Sequence, residues 1–385
     1  MAKNAGLYNV VQITSLEVPS ILRVFRGNHK VCAFMGPPGC GKTKSVEFFA
    51  KETAEKLGKK FIAYPTLEDW DNPDNFCFAT VLTSQIEEID TRGLPHIAAM
   101  KDGEVVTKYT PTELIPVKGC GVLFFDEFPN GRTQVQNALQ QILLDHKIGN
   151  SKISPDIQFV LAGNRPSDNC GCFYIPAALR NRAGWFEVNR PKVEDWLELM
   201  REIEKPINQR MEGWILSIGA KYFDNFDPKA EQYAYGTTRS IEMASEIISD
   251  IPLDTAENYH LVKNLVGSLI GQDAGSDFVS FLKLTEKVDI NGLFNSPKAI
   301  HQYEDRMDMM YSIGVALIEK VVEEPKLTEK WLGILGETNK MEHGVFMLKS
   351  VMNRWGASKT LERINKCQNA KTVTQKYARL LAKSM

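Results

Sequence analysis

Apolar residues follow two rhythms along this 385-residue chain, and the change between them falls near Arg190. Before it, short apolar runs bounded by glycine, proline and acids alternate with stretches spaced at three and four residues. That alternation predicts parallel strands covered by helices on both faces. Lys30 to Met35, Phe78 to Leu82, Gly121 to Phe125 and Ile157 to Ala162 read as buried strands. Val18 to Arg26, with Pro19 in its first turn, and Thr43 to Leu57 read as helices. Phe61 to Asn75 reads as loop, because Pro65, Asp69, Asp71, Pro73 and Asp74 interrupt it. His96 to Met100 and Glu104 to Tyr109 flank Lys101-Asp102-Gly103, a hairpin signal, since Asp-Gly tolerates positive φ.

After Arg190 only the helical spacing remains. Val193 to Glu204, Ile207 to Ala220, Ser240 to Ile248 and Tyr259 to Ile270 read as helices, and residues 286 to 385 are helical too. Ile300, Tyr303, Met307, Met310, Tyr311, Gly314 and Leu317 recur on one face up to Pro325. This methionine-rich stripe reads as core, which methionine fills readily.

Composition narrows the class. Apolar content of 43%, charged content of 24% and a net charge of −2 describe a globular chain with no global positive field. No apolar run approaches the roughly 20 residues a membrane helix needs, so no membrane contact is expected. The start, MAKNAGLYNV, lacks the basic-then-apolar pattern of a leader. Seven cysteines without a regular framework fit a reducing, cytoplasmic setting. Cys170 and Cys172 form a C-G-C pair with no second pair at zinc-finger spacing, and no H-E-x-x-H occurs. A zinc hydrolase is excluded.

Gly36-Pro37-Pro38-Gly39-Cys40-Gly41-Lys42-Thr43 matches the P-loop pattern, with a strand before it and a helix after it. Glycines let the backbone wrap closely enough for successive N–H groups to face phosphate oxygens. The helix N-terminus adds positive potential at the same point. Lys42 would reach the outer phosphates, and the Thr43 hydroxyl would join the shell of a Mg²⁺ ion. The strand ending in Asp126-Glu127 supplies the acidic half: Asp126 toward Mg²⁺, Glu127 toward the attacking water. Asn164 closes a further buried strand and is placed to hold the same water or a phosphate oxygen. Arg180 and Arg182 stand in Ala178-Leu179-Arg180-Asn181-Arg182. Arg239 opens a helix, where a cation opposes the helix dipole and so asks for another reason.

In this order the P-loop, the D-E strand, the strand-Asn, L-x-N-R and Gly236-Thr237-Thr238-Arg239 resemble the AAA+ superfamily, in particular its MoxR-like branch. Leu82-Thr83-Ser84-Gln85, Asp90-Thr91-Arg92-Gly93-Leu94-Pro95, Gln136-Asn137-Ala138-Leu139, Asn164-Arg165-Pro166 and Asp168 are similar to that branch as well. The resemblance covers roughly residues 15 to 285. It implies an AAA+ α/β nucleotide-binding domain over 1–190, with a helix-2 hairpin insert about 93–113. A helical lid over 191–285 and a C-terminal helical extension over 286–385 would follow. It implies Mg-ATP hydrolysis in a homo-oligomeric, hexameric ring. Arg182 would reach a neighbour's γ-phosphate, with Arg180 the weaker candidate, and Arg239 would be the lid's sensor arginine. The work would be remodelling of a protein partner, with a separate von Willebrand factor A domain protein as adaptor.

Two other functions compete. From Val351 to Met385 the chain carries Arg354, Lys359, Arg363, Lys366, Lys371, Lys376, Arg379 and Lys383 against one acid, Glu362. Such a tail could track nucleic-acid phosphates in a motor or loader, but the aromatics that stack on bases are nearly absent. A McrB-type GTPase is disfavoured because no endonuclease-targeting domain precedes the P-loop. A sigma-54 activator lacks support, since no G-A-F-T-G-A-like loop occurs.

Overall fold

Val122, Leu123, Phe124 and Phe125 are all fully buried, which explains why their strand shows no polar alternation. Val122 and Phe124 pack with Leu22, Val46 and Phe49. Leu123 and Phe125 point the other way and pack with Val135, Leu139 and Ile142. A strand with a core on each face must be apolar at every position. Cutting Phe124 back to alanine would cost about 3–5 kcal/mol.

The structure, a computed structural model, describes residues 9–99, 105–110, 112–148, 151–168, 170–203, 205–218 and 221–378. Contacts divide the chain into two units: Met1–Pro191 with Pro228–Glu231, and Lys192–Asp227 with Gln232–Met385. The strands of the first unit are β1 (Val11–Thr14), β2 (Cys32–Met35), β3 (Lys60–Ala63), β4 (Asn75–Leu82), β5 (Pro95–Ala99), β6 (Val105–Tyr109), β7 (Gly121–Asp126), β8 (Lys147–Ile148), β9 (Ser151–Lys152), β10 (Ile157–Gly163) and β11 (Gly184–Asn189). Its helices are α1 (Val18–Gly27), α2 (Lys42–Lys56), α3 (Leu67–Asp71), α4 (Glu88–Arg92), α5 (Thr133–Asp145) and α6 (Ala177–Arg180). Among the described residues, seven strands form one sheet in the order β1-β11-β2-β10-β7-β4-β3, parallel throughout.

The two-stranded ribbon β5–β6 pairs Pro95 with Tyr109 and Ala99 with Val105. Ile97 and Val105 are 79% and 68% exposed. The Lys101-Asp102-Gly103 turn expected to join these strands lies outside the described residues.

Expectation and structure differ at three places. Phe61 to Asn75 is not loop throughout: it holds most of β3 and all of α3, and β4 begins at Asn75. Asp69, which read as loop punctuation, instead builds a capping box with Thr66 that closes the first turn of α3. The strands β1 and β11 were not expected, because each is short and mixes apolar with polar residues. The methionine-rich stripe spans two elements, a 3₁₀ segment, Pro297–Tyr303, and the helix that begins at Met307. Ile300, Met310 and Leu317 are buried as core, whereas Met307 is 44% exposed in the first turn.

The second unit is helical: α7 (Val193–Glu202), α8 (Gln209–Ile218), α9 (Thr238–Ile247), α10 (Ala256–Ile270), α11 (Gln272–Leu282), α12 (Ile290–Asn295), α13 (Met307–Glu323), α14 (Thr328–Glu337), α15 (Met341–Trp355), α16 (Ala357–Asn365) and α17 (Ala370–Lys376). One hydrophobic cluster runs through it, from Val193 and Trp214 to Ile313, Trp331, Phe346 and Tyr377. That cluster crosses position 285 without a break. Among the described residues no helix is long and apolar enough to cross a membrane.

Candidate functional site

β2, β10 and β7 are neighbours in the sheet, so the segments leaving their carboxyl ends emerge side by side, where open parallel sheets place their ligands. Register makes this concrete. Gly163 pairs with Met35 and Leu161 with Phe125, and the Gly36 N–H donates to the Gly163 carbonyl at 3.1 Å. Gly36 has no substitute, because a Cβ there would lie 2.3 Å from the Val188 carbonyl oxygen. The end of β11 braces the loop from behind, where Arg190 Nη2 donates to the Pro38 carbonyl at 3.0 Å.

Lys42 is only 8% exposed, an unusual place for an ammonium unless polar groups surround it. They do. Its Nζ donates to the Gly36 and Pro37 carbonyls at 2.8 and 3.0 Å and to Asn164 Oδ1 at 3.5 Å, and Cys40 Sγ lies 3.7 Å away. Thr43 Oγ1 donates to Asp126 Oδ2 at 2.8 Å. The second Asp126 oxygen accepts the Glu127 N–H at 2.9 Å. Glu127 has φ 51° and ψ 31°, a left-handed conformation that a non-glycine residue adopts at a cost and that tends to mark functional sites. Its Oε2 accepts a hydrogen bond from the Ser84 hydroxyl. Ser84 lies in the 3₁₀ turn Thr83–Gln85 directly after β4.

The strand end at Asn164 is locked by its neighbour. Arg165 donates from two nitrogens to the Asp168 carboxylate and from a third to Glu187 at 2.7 Å. Both acids are buried. Burial works against the Arg165 charge, but the two carboxylates outweigh it and raise its pKa. Beyond Asp168, the thiols of Cys170 and Cys172 lie against the site, Cys172 Sγ donating to the Asn164 carbonyl at 3.5 Å. Burial raises the pKa of both, that of Cys172 to about 11. Among the described residues no cluster of three His, Cys, Asp or Glu side chains is arranged to hold a metal ion.

Lys42, Thr43, Asp126, Glu127 and Asn164 are thus brought together with the Gly36–Gly41 loop. Arg180 and Arg182, in the same unit, are not among them, and Arg239 belongs to the other unit. Arg180 stacks on the Tyr174 ring at 4.9 Å and donates to its hydroxyl. Arg182 is exposed just after α6 and forms no ion pair among the described residues. Arg239 is exposed as the second residue of α9, in the helical unit, behind a capping box of Thr237 and Ser240. Ser84, quoted only within a motif, and Arg190 were not assigned to the site from the sequence. Each meets the site across a long stretch of chain, and no local pattern marks such a contact.

A P-loop leaving β2, an acidic pair ending β7, a polar strand end on β10 between them and a helical second unit define the AAA+ P-loop NTPase fold, of α/β class. No protein-family model matches the chain, and no curated protein matches it. Among solved structures it is similar to NtrX from Brucella abortus, at 13% identity and TM-score 0.36, covering 99% of this chain and 70% of that one. It is similar to the RuvB Holliday junction branch migration motor of Thermotoga maritima, at 15% identity and TM-score 0.33, covering 75% and 76%. It is also similar to the ORC2 protein of Aeropyrum pernix in its ADP form, at 14% identity and TM-score 0.38, covering 77% and 76%. The fold assignment rests on this chain's own sheet order and loop.

Proposed function

We propose that this chain is a cytoplasmic AAA+ ATPase that binds Mg-ATP at Gly36–Thr43 and hydrolyses it in a homo-oligomeric, hexameric ring, as a MoxR-like remodelling motor on a protein partner. The observation that carries the chemistry is the convergence of Lys42, Thr43, Asp126, Glu127 and Asn164 from three adjacent strand ends. The loop from Gly36 to Gly41 and the first turn of α2 would offer backbone N–H groups to the phosphates. Lys42 would exchange the Gly36 and Pro37 carbonyls for phosphate oxygens, which leaves its charge paired throughout. Thr43 Oγ1 and the Asp126 carboxylate suit a Mg²⁺ ion, which takes few protein oxygens and keeps water and phosphate as its other ligands. That ion supplies charge neutralisation for the transferring phosphoryl group. Glu127 orients the attacking water, and Asn164 holds that water or a γ-phosphate oxygen.

In this reading Arg182 acts on a neighbouring subunit's nucleotide, supported by its exposure and by the engagement of Arg180 with Tyr174. Arg239 acts as the lid's sensor arginine. The lid over 191–285 and the extension over 286–385 work as one body, supported by their shared core. The exposed β5–β6 ribbon is the element that touches the partner, and a separate von Willebrand factor A domain protein is a fitting adaptor. A phosphate-tracking tail has less support. Lys376 Nζ caps α14 through the Leu335, Gly336 and Thr338 carbonyls, Lys366 pairs with Glu362, and Arg363 stacks on Trp355. Arg379 and Lys383 lie outside the described residues.

Glu127→Gln tests the assignment. It should keep nucleotide affinity and lower turnover by about 10²–10⁴. Turnover at the native rate would remove Glu127 from the chemistry.

A further inference from the structure

Asn130 ends the 3₁₀ turn that follows the acidic pair, and its backbone and side chain bind different parts of the chain. Its N–H donates to the Glu127 carbonyl at 2.8 Å. Its Nδ2 donates to the Cys170 carbonyl at 2.6 Å, 40 positions along the sequence. A carbonyl can only accept, so that partner fixes which way round the amide lies. Its Oδ1 then faces Cys172 Sγ at 3.7 Å. Beside it the Phe173 N–H donates to the Pro129 carbonyl at 2.6 Å. Gly171, at φ +72°, supplies the reversal that brings the chain onto this clamp.

What the clamp holds is the entry to the arginine-bearing segment. Phe173 and Tyr174, which follow it, are 47% and 70% exposed. From 173 to 182 only Leu179 is fully buried, packing in one cluster with Phe125 and Phe128. Helix α6 has 4 residues, a single turn that needs tertiary support to form. At its far end Trp185 Nε1 donates to the Arg180 carbonyl at 2.8 Å. The place of Arg182 is therefore set from three points: Asn130 ahead of α6, Leu179 within it and Trp185 beyond it. Truncating Asn130 removes the first of these. It spares the backbone bond to Glu127, whose carboxylate is held by Ser84 instead.

We propose that Asn130 is a positioning residue for the neighbouring subunit's hydrolysis: its side chain holds the chain ahead of α6, so that Arg182 is presented to the adjoining nucleotide. This rests on the in-trans reading of Arg182 above. Losing the amide should therefore harm the neighbour's site and leave the P-loop of the same subunit sound.

The test measures steady-state ATP turnover and fluorescent-nucleotide binding by the full chain carrying Asn130→Ala, alone and in equimolar mixtures with Lys42→Ala or Arg182→Ala. Alone, Asn130→Ala should lower kcat about tenfold with nucleotide Kd within about twofold of native. In the first mixture Lys42→Ala lends its intact arginine to the sound P-loop of Asn130→Ala, and turnover should rise several-fold above the sum of the two alone. In the second no subunit offers a well-placed arginine, and turnover should equal that sum. Any gain with Arg182→Ala would put Asn130 in its own subunit's site and overturn the proposal. Native kcat in Asn130→Ala overturns it too, as does the lack of a gain with Lys42→Ala, which marks a general structural loss. Asn130→Asp keeps the size of the side chain but has no N–H for the Cys170 carbonyl. It should repeat the pattern, and it decides alone if the alanine variant does not fold. Arg182→Ala mixed with Lys42→Ala is the control: no gain in that pair sinks the in-trans reading itself, and this proposal with it.

Discussion

Glu127 carries the only non-glycine left-handed backbone among the converging side chains of the candidate site, and its carboxylate is held by a serine from the 3₁₀ turn after β4. A hydrogen bond to a charged group is worth about 1.5–3 kcal/mol when burial protects it, and less at an exposed site such as this one. The Ser84 contact is thus strong enough to bias the carboxylate and weak enough to be broken. Ser84→Ala should release Glu127 and raise basal turnover by roughly two- to fivefold, with nucleotide affinity unchanged. Stopped-flow phosphate release would check this, and a fall in turnover would mean that the serine aids the chemistry. Nothing near Ser84 in the sequence announces this contact, because the partner lies 43 positions away. The P-loop and the acidic pair were legible for the opposite reason: their residue types and spacing are dictated by local chemistry.

Elements were legible where burial is uniform. β2, β7 and β10 are apolar at nearly every position because both faces are covered, Gln158 inside β10 and Asp126 at the end of β7 being the polar ones, so their runs stand out. β11 reads Gly184 to Asn189 with Glu187 inside it, and that acid is buried only because Arg165 meets it. No local pattern reveals such a pairing. Buried charge also gives the helical unit a pH signature. Burial, opposed by Arg201 and Lys349, pushes the Glu212 carboxyl on α8 up to about 7, from 4.5. A carboxyl raised in the folded state contributes stability that is complete below the unfolded value and lost as pH climbs through the folded one. Thermal unfolding should therefore show stability falling between pH 4.5 and 7 by on the order of 3 kcal/mol, a component that Glu212→Gln removes. Burial lowers the pKa of His343 on α15, and that residue tilts the curve the other way as pH drops. The decisive quantity is thus the difference in slope between native and Glu212→Gln. Equal slopes would show that Glu212 titrates normally.

At the scale of the molecule, the proposed role of Arg182 in trans would make activity a property of pairs of subunits. Arg182→Ala and Lys42→Ala should each be inactive, the former by about 10³–10⁵. Mixing them should restore part of the turnover, because some interfaces then join an intact P-loop to an intact arginine. Turnover by the mixture that never exceeds the sum of its components would place Arg182 outside its neighbour's site.

The unbroken core of residues 192–227 and 232–378 sets a rule for anyone recombining this protein with others. A graft that stops at residue 285 would take Trp214 and Phe278 away from helices of the same cluster, such as α13 and α15, and leave bare oily surface. The cut that spares this cluster lies near Pro191, so natural shuffling or laboratory chimaeras should keep residues 192–227 and 232–378 together as a single cassette.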